Sequence, residues 1–136
     1  MREARILCAT LLLLASPALA EPARIAHVVD GDSVHVTMRG ERVKVRVAAV
    51  DTPEISHPLC PAELARGIAA RDFVRALLPV GAEVDVRPTG RTEKYGRLLA
   101  AIVLPDGRDL ATTVIVAGHG VPYRGGRRRG WCDGSQ

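Results

Sequence analysis

Aromatic side chains are nearly absent: one Phe, two Tyr and one Trp in 136 residues. A folded core must then be filled by Val, Leu, Ile and Ala, and any aromatic outside it invites a functional explanation. Low-complexity tracts are missing as well. With 47% hydrophobic and 25% charged residues, the composition is that of an ordinary globular chain, which excludes disorder. The length suits one domain and leaves no room for two folded domains or a repeat array. Finally, no apolar run reaches the roughly 20 residues that a membrane span requires. The longest, Ile6 to Ala15, is cut short by Ser16-Pro17.

That run has another reading. Arg2 and Arg5 precede it and Ala18-Leu19-Ala20 follow it as a small-x-small cleavage signal, the layout of a secretory signal peptide cut after Ala20. Residues 1–20 are therefore expected to be a leader, with the mature chain secreted or periplasmic and free of the membrane. Cys8 lies inside the apolar run, far ahead of the cleavage signal, and would leave with the leader. Two cysteines remain, Cys60 and Cys132, an even count in an oxidising compartment, and they are expected to pair. The net charge of +4 stays positive without the leader, which is compatible with a polyanionic partner.

Periodicity organises the rest. Arg24 to Val29 reads as a strand running into the turn Asp30-Gly31-Asp32. Val34, Val36 and Met38 alternate with His35 and Thr37. After a turn at Arg39-Gly40-Glu41, Val43, Val45 and Val47 alternate with Lys44 and Arg46. Arg46 thus lies on the face opposite the valines, which take the interior. Cys60 to Leu78 is predicted to be a helix with Pro61 in its first turn, an apolar stripe of Ala65, Ile68, Ala69, Phe73, Ala76 and Leu77, and Pro79 and Gly81 at its end. Val84 to Arg87 alternates again, Thr89 to Gly96 reads as a polar loop, and Leu98 to Leu104 as an apolar strand. Asp109 can cap a short helix from about Leu110 to Ala117. Three strands, a helix and two strands is the order of a five-stranded Greek-key barrel of the oligonucleotide/oligosaccharide-binding (OB) type, an α+β, mainly β fold with one long helix between the third and fourth strands and a short C-terminal helix. The long helix speaks against an SH3-like barrel, the main competitor.

Four segments hold the unusual polar residues: Asp30-Gly31-Asp32-Ser33, Arg46, Asp51-Thr52-Pro53-Glu54 and Arg91-Thr92-Glu93-Lys94-Tyr95-Gly96-Arg97. Singly, each has a plain explanation. The first is a hairpin turn, and no EF-hand, because Val34 stands at the third ligand position. Arg46 could be a solvated strand face, Asp51 to Glu54 a turn before a helix, and Tyr95-Gly96 a loop. Together they place Asp32, Asp51 and Glu54 with Arg46 and Arg97, hard carboxylate ligands suited to Ca²⁺ beside planar guanidinium forks suited to phosphate.

In this order and at this spacing the segments resemble the staphylococcal (micrococcal) nuclease family over about Ile25 to Tyr123. The resemblance implies a calcium-dependent nuclease acting on DNA or RNA, probing phosphates and a splayed base more than a groove. It implies Ca²⁺ held by Asp32, Asp51 and the main-chain carbonyl of Thr52. Glu54 would orient or deprotonate the attacking water. Arg46 and Arg97 would bind the scissile phosphate, with the 5′-oxygen leaving and a 3′-phosphate produced. Tyr95 and Tyr123, with Lys94 beside the former, would face the nucleotide, while a third tyrosine position of the family is Gly125 here. Residues 21–123 would form the nuclease domain and 124–136 a basic Gly/Arg-rich tail ending in the cysteine staple, the whole a monomer. The competing function is a non-catalytic nucleic-acid-binding OB module. It predicts loss of a metal or base carboxylate, and several exposed aromatic platforms. No such carboxylate is lost, and only Tyr95 and Tyr123 are available. An exported structural module would leave the arginine and carboxylate cluster without a purpose.

Overall fold

The structure, a computed structural model, describes residues 19–133. The expected leader therefore falls, apart from its last two residues, outside the described residues. In chain order the elements are β1 (Glu21–Asp30), β2 (Ser33–Met38), β3 (Glu41–Val47), β4 (Val50–Asp51), α1 (Pro61–Leu77), β5 (Glu83–Thr92), β6 (Leu98–Val103), α2 (Leu110–Val116) and β7 (Val121–Pro122). Five strands close into a barrel in the order β1-β2-β3-β6-β5. All its pairings are antiparallel except β3 with β6. β4 and β7 form a separate two-stranded ribbon. This is the mainly β, OB-type barrel that the strand order predicts. No helix among the described residues is long and apolar enough to cross a membrane.

Alternation along β2 and β3 builds the barrel interior. Val34, Val36, Val45 and Val47 are buried, as are Ile25, Val86 and Ile102 from the neighbouring strands. The largest fully buried side chains among the described residues are aliphatic, and Phe73 is only partly buried against the cluster. Val43 lies at the barrel's end and is only partly buried. The β2–β3 turn places Arg39 and Gly40 at φ of 52° and 80°, the mirror-image turn whose twist matches that of the strands it joins.

Two local expectations need correction. The buried face of α1 is Glu63, Gly67, Ala70 and Val74, not the stripe through Ala65, Ala69 and Ala76, which are exposed. Contacts that hydropathy does not register decide the rotation of the helix. Gly67 lets the loop before the helix approach closely: a Cβ there would fall 2.9 Å from the Pro53 carbonyl oxygen and 3.0 Å from that of Glu54. Glu63 turns inward because its carboxylate accepts from the backbone N–H groups of Leu59 (2.7 Å) and Glu54 (3.3 Å). The second correction concerns β5, which continues to Thr92 where a loop from Thr89 is predicted. After an irregularity between Pro88 and Arg91, pairing resumes with Arg91 opposite Leu99 and Thr92 opposite Leu98. Only Glu93 to Gly96 form the loop, closed by Glu93 N–H to Arg97 O at 3.0 Å and Gly96 N–H to Glu93 O at 2.9 Å.

Both ends of α1 follow from local chemistry. Cys60 is its N-cap, with Sγ accepting from Glu63 N–H at 3.4 Å, and Pro61 opens the first turn. The same cysteine is bonded to Cys132. Asp109 caps α2 by accepting from Thr112 N–H at 2.8 Å.

Candidate active site

The four polar segments meet at one end of the barrel. Asp32 sits in the β1–β2 turn, its N–H donating to Asp30 Oδ1 at 3.0 Å, a side-chain-closed turn that fixes the backbone. Gly31 packs against the next segment so closely that a Cβ would lie 2.8 Å from Thr52 Cγ2 and 2.9 Å from Ala70 Cβ. Thr52 N–H donates to Asp32 Oδ2 at 2.8 Å. Turn and β4 loop are thereby locked in register, which sets Asp32 beside Asp51.

Arg46 projects from the outer face of β3 and is anchored through Nη1, which donates to the carbonyls of Val47 (2.7 Å) and Val50 (2.9 Å). Its Nη2 lies 3.1 Å from Asp32 Oδ2 and 3.5 Å from Asp51 Oδ1. Arg97, just before β6, donates through Nε and Nη2 to the two oxygens of Glu93 at 2.6 and 2.9 Å, and through Nη1 to Ser33 Oγ at 3.0 Å. Glu93 and Ser33, which the sequence reading leaves without a task, therefore orient that guanidinium.

A cleft of about 810 Å³ collects Asp32, Arg46, Glu54, Arg97, Lys94, Tyr95 and Tyr123. Asp51 and Thr52 are buried and do not line the cleft, but contact its wall, Thr52 N–H through Asp32 and Asp51 through Arg46. Tyr95 is 69% exposed, with Lys94 Nζ 4.7 Å and Arg97 Cζ 5.6 Å from its ring centroid. Tyr123 Oη donates to the Gly126 carbonyl at 2.9 Å. Asp32, Arg46, Glu54, Lys94, Tyr95, Arg97 and Tyr123 thus line one cleft, with Asp51 and Thr52 bonded to its wall.

The electrostatics follow from burial. Taking Asp32 out of water pushes its carboxyl up to about 6, against the pull of Arg46 and with a further push from Asp30. Burial likewise raises Asp51, although Arg128 and Arg46 pull it down. Asp51 Oδ2 is buried and has no hydrogen-bond partner among the described residues. An orphaned buried oxygen of this kind has an unmet need for positive charge. Among the described residues no three His, Cys, Asp or Glu side chains are gathered to hold an ion by themselves. The available donors are the two aspartates and the Thr52 carbonyl, hard oxygens in an irregular set, and these fit Ca²⁺, which accepts such geometry and completes its shell with water.

One residue in this cluster escapes sequence reasoning. Arg128, from the tail, places Nε 2.7 Å from Asp51 Oδ1, Nη1 2.8 Å from Glu54 Oε1 and Nη2 3.2 Å from the Thr52 carbonyl oxygen. Its guanidinium is held more firmly protonated by Asp51 and Glu54, despite partial burial. The sequence signal is a run of three arginines shortly before a cysteine, and nothing in the run says which of them turns inward.

The family profile described as "Staphylococcal nuclease homologue" matches residues 44–129, most of the chain and all of the site except the β1–β2 turn. The chain belongs to this nuclease family. Among curated relatives it is 36% identical over 85 residues to the thermonuclease of Staphylococcus intermedius, covering 60% of this chain and 48% of that protein. It is 29% identical over 114 residues to an uncharacterized lipoprotein of Mycoplasma genitalium, covering 76% of this chain and 45% of that protein. An uncharacterized endonuclease of Escherichia coli is 28% identical over 95 residues, covering 70% and 56%. The chain spans about half the length of the curated relatives it matches. For a member of the staphylococcal nuclease family, the matched stretch carries the long helix, β5 and β6, and Arg46, Asp51, Glu54 and Arg97, while β1, β2 and Asp32 lie ahead of it.

Proposed function

We propose that this chain is a calcium-dependent nuclease that hydrolyses phosphodiester bonds of DNA or RNA. The observation that carries the reading is the convergence of two anchored guanidiniums, Arg46 and Arg97, with Asp32, Asp51 and Glu54 at one cleft. Relatives printed as thermonuclease and endonuclease support it. Asp32, Asp51 and the Thr52 carbonyl would hold the cation. When bound, Ca²⁺ supplies positive charge where negative charge gathers on the phosphate oxygens.

The protein's own groups do the rest. Arg46 and Arg97 would bind the scissile phosphate through the N–H groups their anchors leave, and Arg97 would also assist the leaving 5′-oxygen, giving a 3′-phosphate. Each is anchored beforehand, by carbonyls for Arg46 and by Glu93 for Arg97, so little orientation remains to be found during reaction. Glu54 takes the proton of the attacking water. Tyr95 offers its exposed ring to a base, and Lys94 and Tyr123 line the same rim.

Residues 21–123 are read as the nuclease domain and 124–136 as its tail. The barrel's first strand begins at Glu21, immediately after the proposed cut, and the Cys60–Cys132 bond suits an oxidising compartment. Both support export to the periplasm or medium; the chain is read as a monomer. The test is cleavage of single-stranded DNA, double-stranded DNA and RNA by the purified chain, with Ca²⁺ and with excess EGTA. Calcium-dependent cleavage of any of these, lost in Glu54→Gln and Arg97→Ala, is the expected result. Binding without cleavage would make the chain a non-catalytic nucleic-acid-binding module, and cleavage undiminished in EGTA would remove the calcium requirement.

A further inference from the structure

The groups proposed to hold Ca²⁺ and activate water already have a cationic partner within the chain. Arg128 contacts the Asp51 carboxylate, the Thr52 carbonyl and the Glu54 carboxylate at once. Two of those are assigned to the cation and the third to the water, so a guanidinium in this place and a Ca²⁺ ion with its shell compete for the same oxygens. Ca²⁺ needs six to eight oxygen ligands at close range, and Thr52 O and Asp51 Oδ1 have their lone pairs turned to Arg128.

Arg128 is delivered by a strap fastened at both ends. On the upstream side Tyr123 Oη donates to the Gly126 carbonyl, and Gly125 and Gly126, at φ of 96° and 84°, turn the chain back over the cleft. Downstream, Arg66 Nη1 donates to the Trp131 carbonyl at 3.0 Å, and Cys132 is bonded to Cys60. Cys60 in turn caps the helix that follows the Glu54 loop. The disulfide therefore ties the residue that occupies the cradle to the loop that forms it.

We propose that Arg128 is a built-in occupant of the cation cradle, so that a divalent cation binds by displacing its guanidinium and the Cys60–Cys132 bond sets how readily it leaves. Without a cation, Arg128 pairs with the buried Asp51 and the half-buried Glu54. With a cation, Glu54 is released from Nη1 and is free to take a proton. Cation binding and freeing of the base are one event. This inference rests on the reading of Asp51, Thr52 and Glu54 as cation and water ligands.

The experiment is calorimetric titration of the full chain with CaCl₂ in the absence of nucleic acid. It compares the unaltered protein with Arg128→Gln, Arg127→Gln and the double variant Cys60→Ser/Cys132→Ser, each checked for folding by circular dichroism. Arg128→Gln is expected to bind Ca²⁺ at least tenfold more tightly, the double variant more tightly than the parent, and Arg127→Gln like the parent. Equal or weaker binding by Arg128→Gln overturns the proposal. Should that variant fail to fold without Ca²⁺, the double variant decides, because it keeps Arg128 and loosens the strap: unchanged affinity there overturns the proposal. Failure of every protein, parent included, to bind Ca²⁺ would bring down the cation reading and this inference with it, whereas equal binding by all would bring down this inference alone.

Discussion

Glu93 grips the guanidinium of Arg97 with both carboxylate oxygens, at 2.6 Å from Nε and 2.9 Å from Nη2. The hydrogen bonds from Arg97 hold the Glu93 carboxyl below its ordinary value. A carboxylate whose acidity is strengthened by folding adds stability above the unfolded-state value and loses it as pH falls through and below the carboxylate range. Glu93→Gln should therefore melt lower than the parent at pH 7, by about 1 kcal/mol for a pair that is only partly shielded. The gap should close near pH 3. Melting curves of both proteins across that range check it, and equal stability at pH 7 would contradict it.

Gly67 faces the loop that carries Glu54, with no room for a Cβ beside Ile55, Pro53 and Glu54. In an open helix Gly→Ala would stabilise by about 1 kcal/mol. Here two of the three neighbours are main-chain oxygens that cannot swing aside, and overpacking of that kind costs about 1–3 kcal/mol. Gly67→Ala should lower the melting temperature and, by moving Glu54, reduce turnover more than it weakens substrate binding. A more stable variant with full turnover would show that the loop yields.

Much of this fold is written in period-2 alternation: Val34, Val36, Val45 and Val47 line the interior as their spacing requires, because a closed barrel has one inside. The α1 face is not written there. Several alanines spread around the helix make its hydropathy nearly isotropic, and the rotation is fixed by the missing side chain of Gly67 and the hydrogen bonds of Glu63, neither of which counts as apolar. The continuation of β5 is hidden for a related reason, since Pro88, Gly90 and Thr89 read as turn residues while acting as an irregularity within a strand. At the site, Asp32, Arg46, Asp51, Glu54 and Arg97 are legible because chemistry and order coincide. Arg128 is not: the Cys60–Cys132 bond that brings the tail back is expected from the sequence, but nothing in the run Arg127-Arg128-Arg129 says which guanidinium turns inward.

Arg46 Nη2 reaches both Asp32 and Asp51, and its Nη1 is committed to two carbonyls. Lysine offers a point charge without the second arm of the fork. Arg46→Lys should therefore lose both cleavage and stability, and Arg46→Ala should be destabilised further, by about 3–5 kcal/mol, as buried Asp32 loses its guanidinium partner while Asp51 keeps only Arg128. If the cradle takes Ca²⁺, adding the ion should restore part of the lost melting temperature in both variants. Thermal melts with and without CaCl₂ check this, and wild-type stability in Arg46→Ala would show that the two aspartates do not depend on it.

The Cys60–Cys132 bond offers a stability test with a built-in control. It closes a loop of 72 residues, and in the chain-entropy account such a closure restricts the unfolded chain by about 4 kcal/mol. That is a large share of what a small domain has. Cys60 has a second role, since its Sγ caps α1 by accepting from Glu63 N–H, and a cysteine replacement that removed the cap would confuse the two effects. Serine is among the preferred caps, so Cys60→Ser/Cys132→Ser removes the covalent link while leaving an acceptor at the helix start. The double serine variant should melt well below the oxidised parent and at nearly the same temperature as the reduced parent. Cys60→Ala/Cys132→Ser, which also loses the cap, should fall about 1 kcal/mol further. Coincident melting of oxidised and reduced parent would mean that the bond joins the tail to the helix without stabilising the barrel. A serine variant no better than the alanine one would mean that the cap contributes nothing.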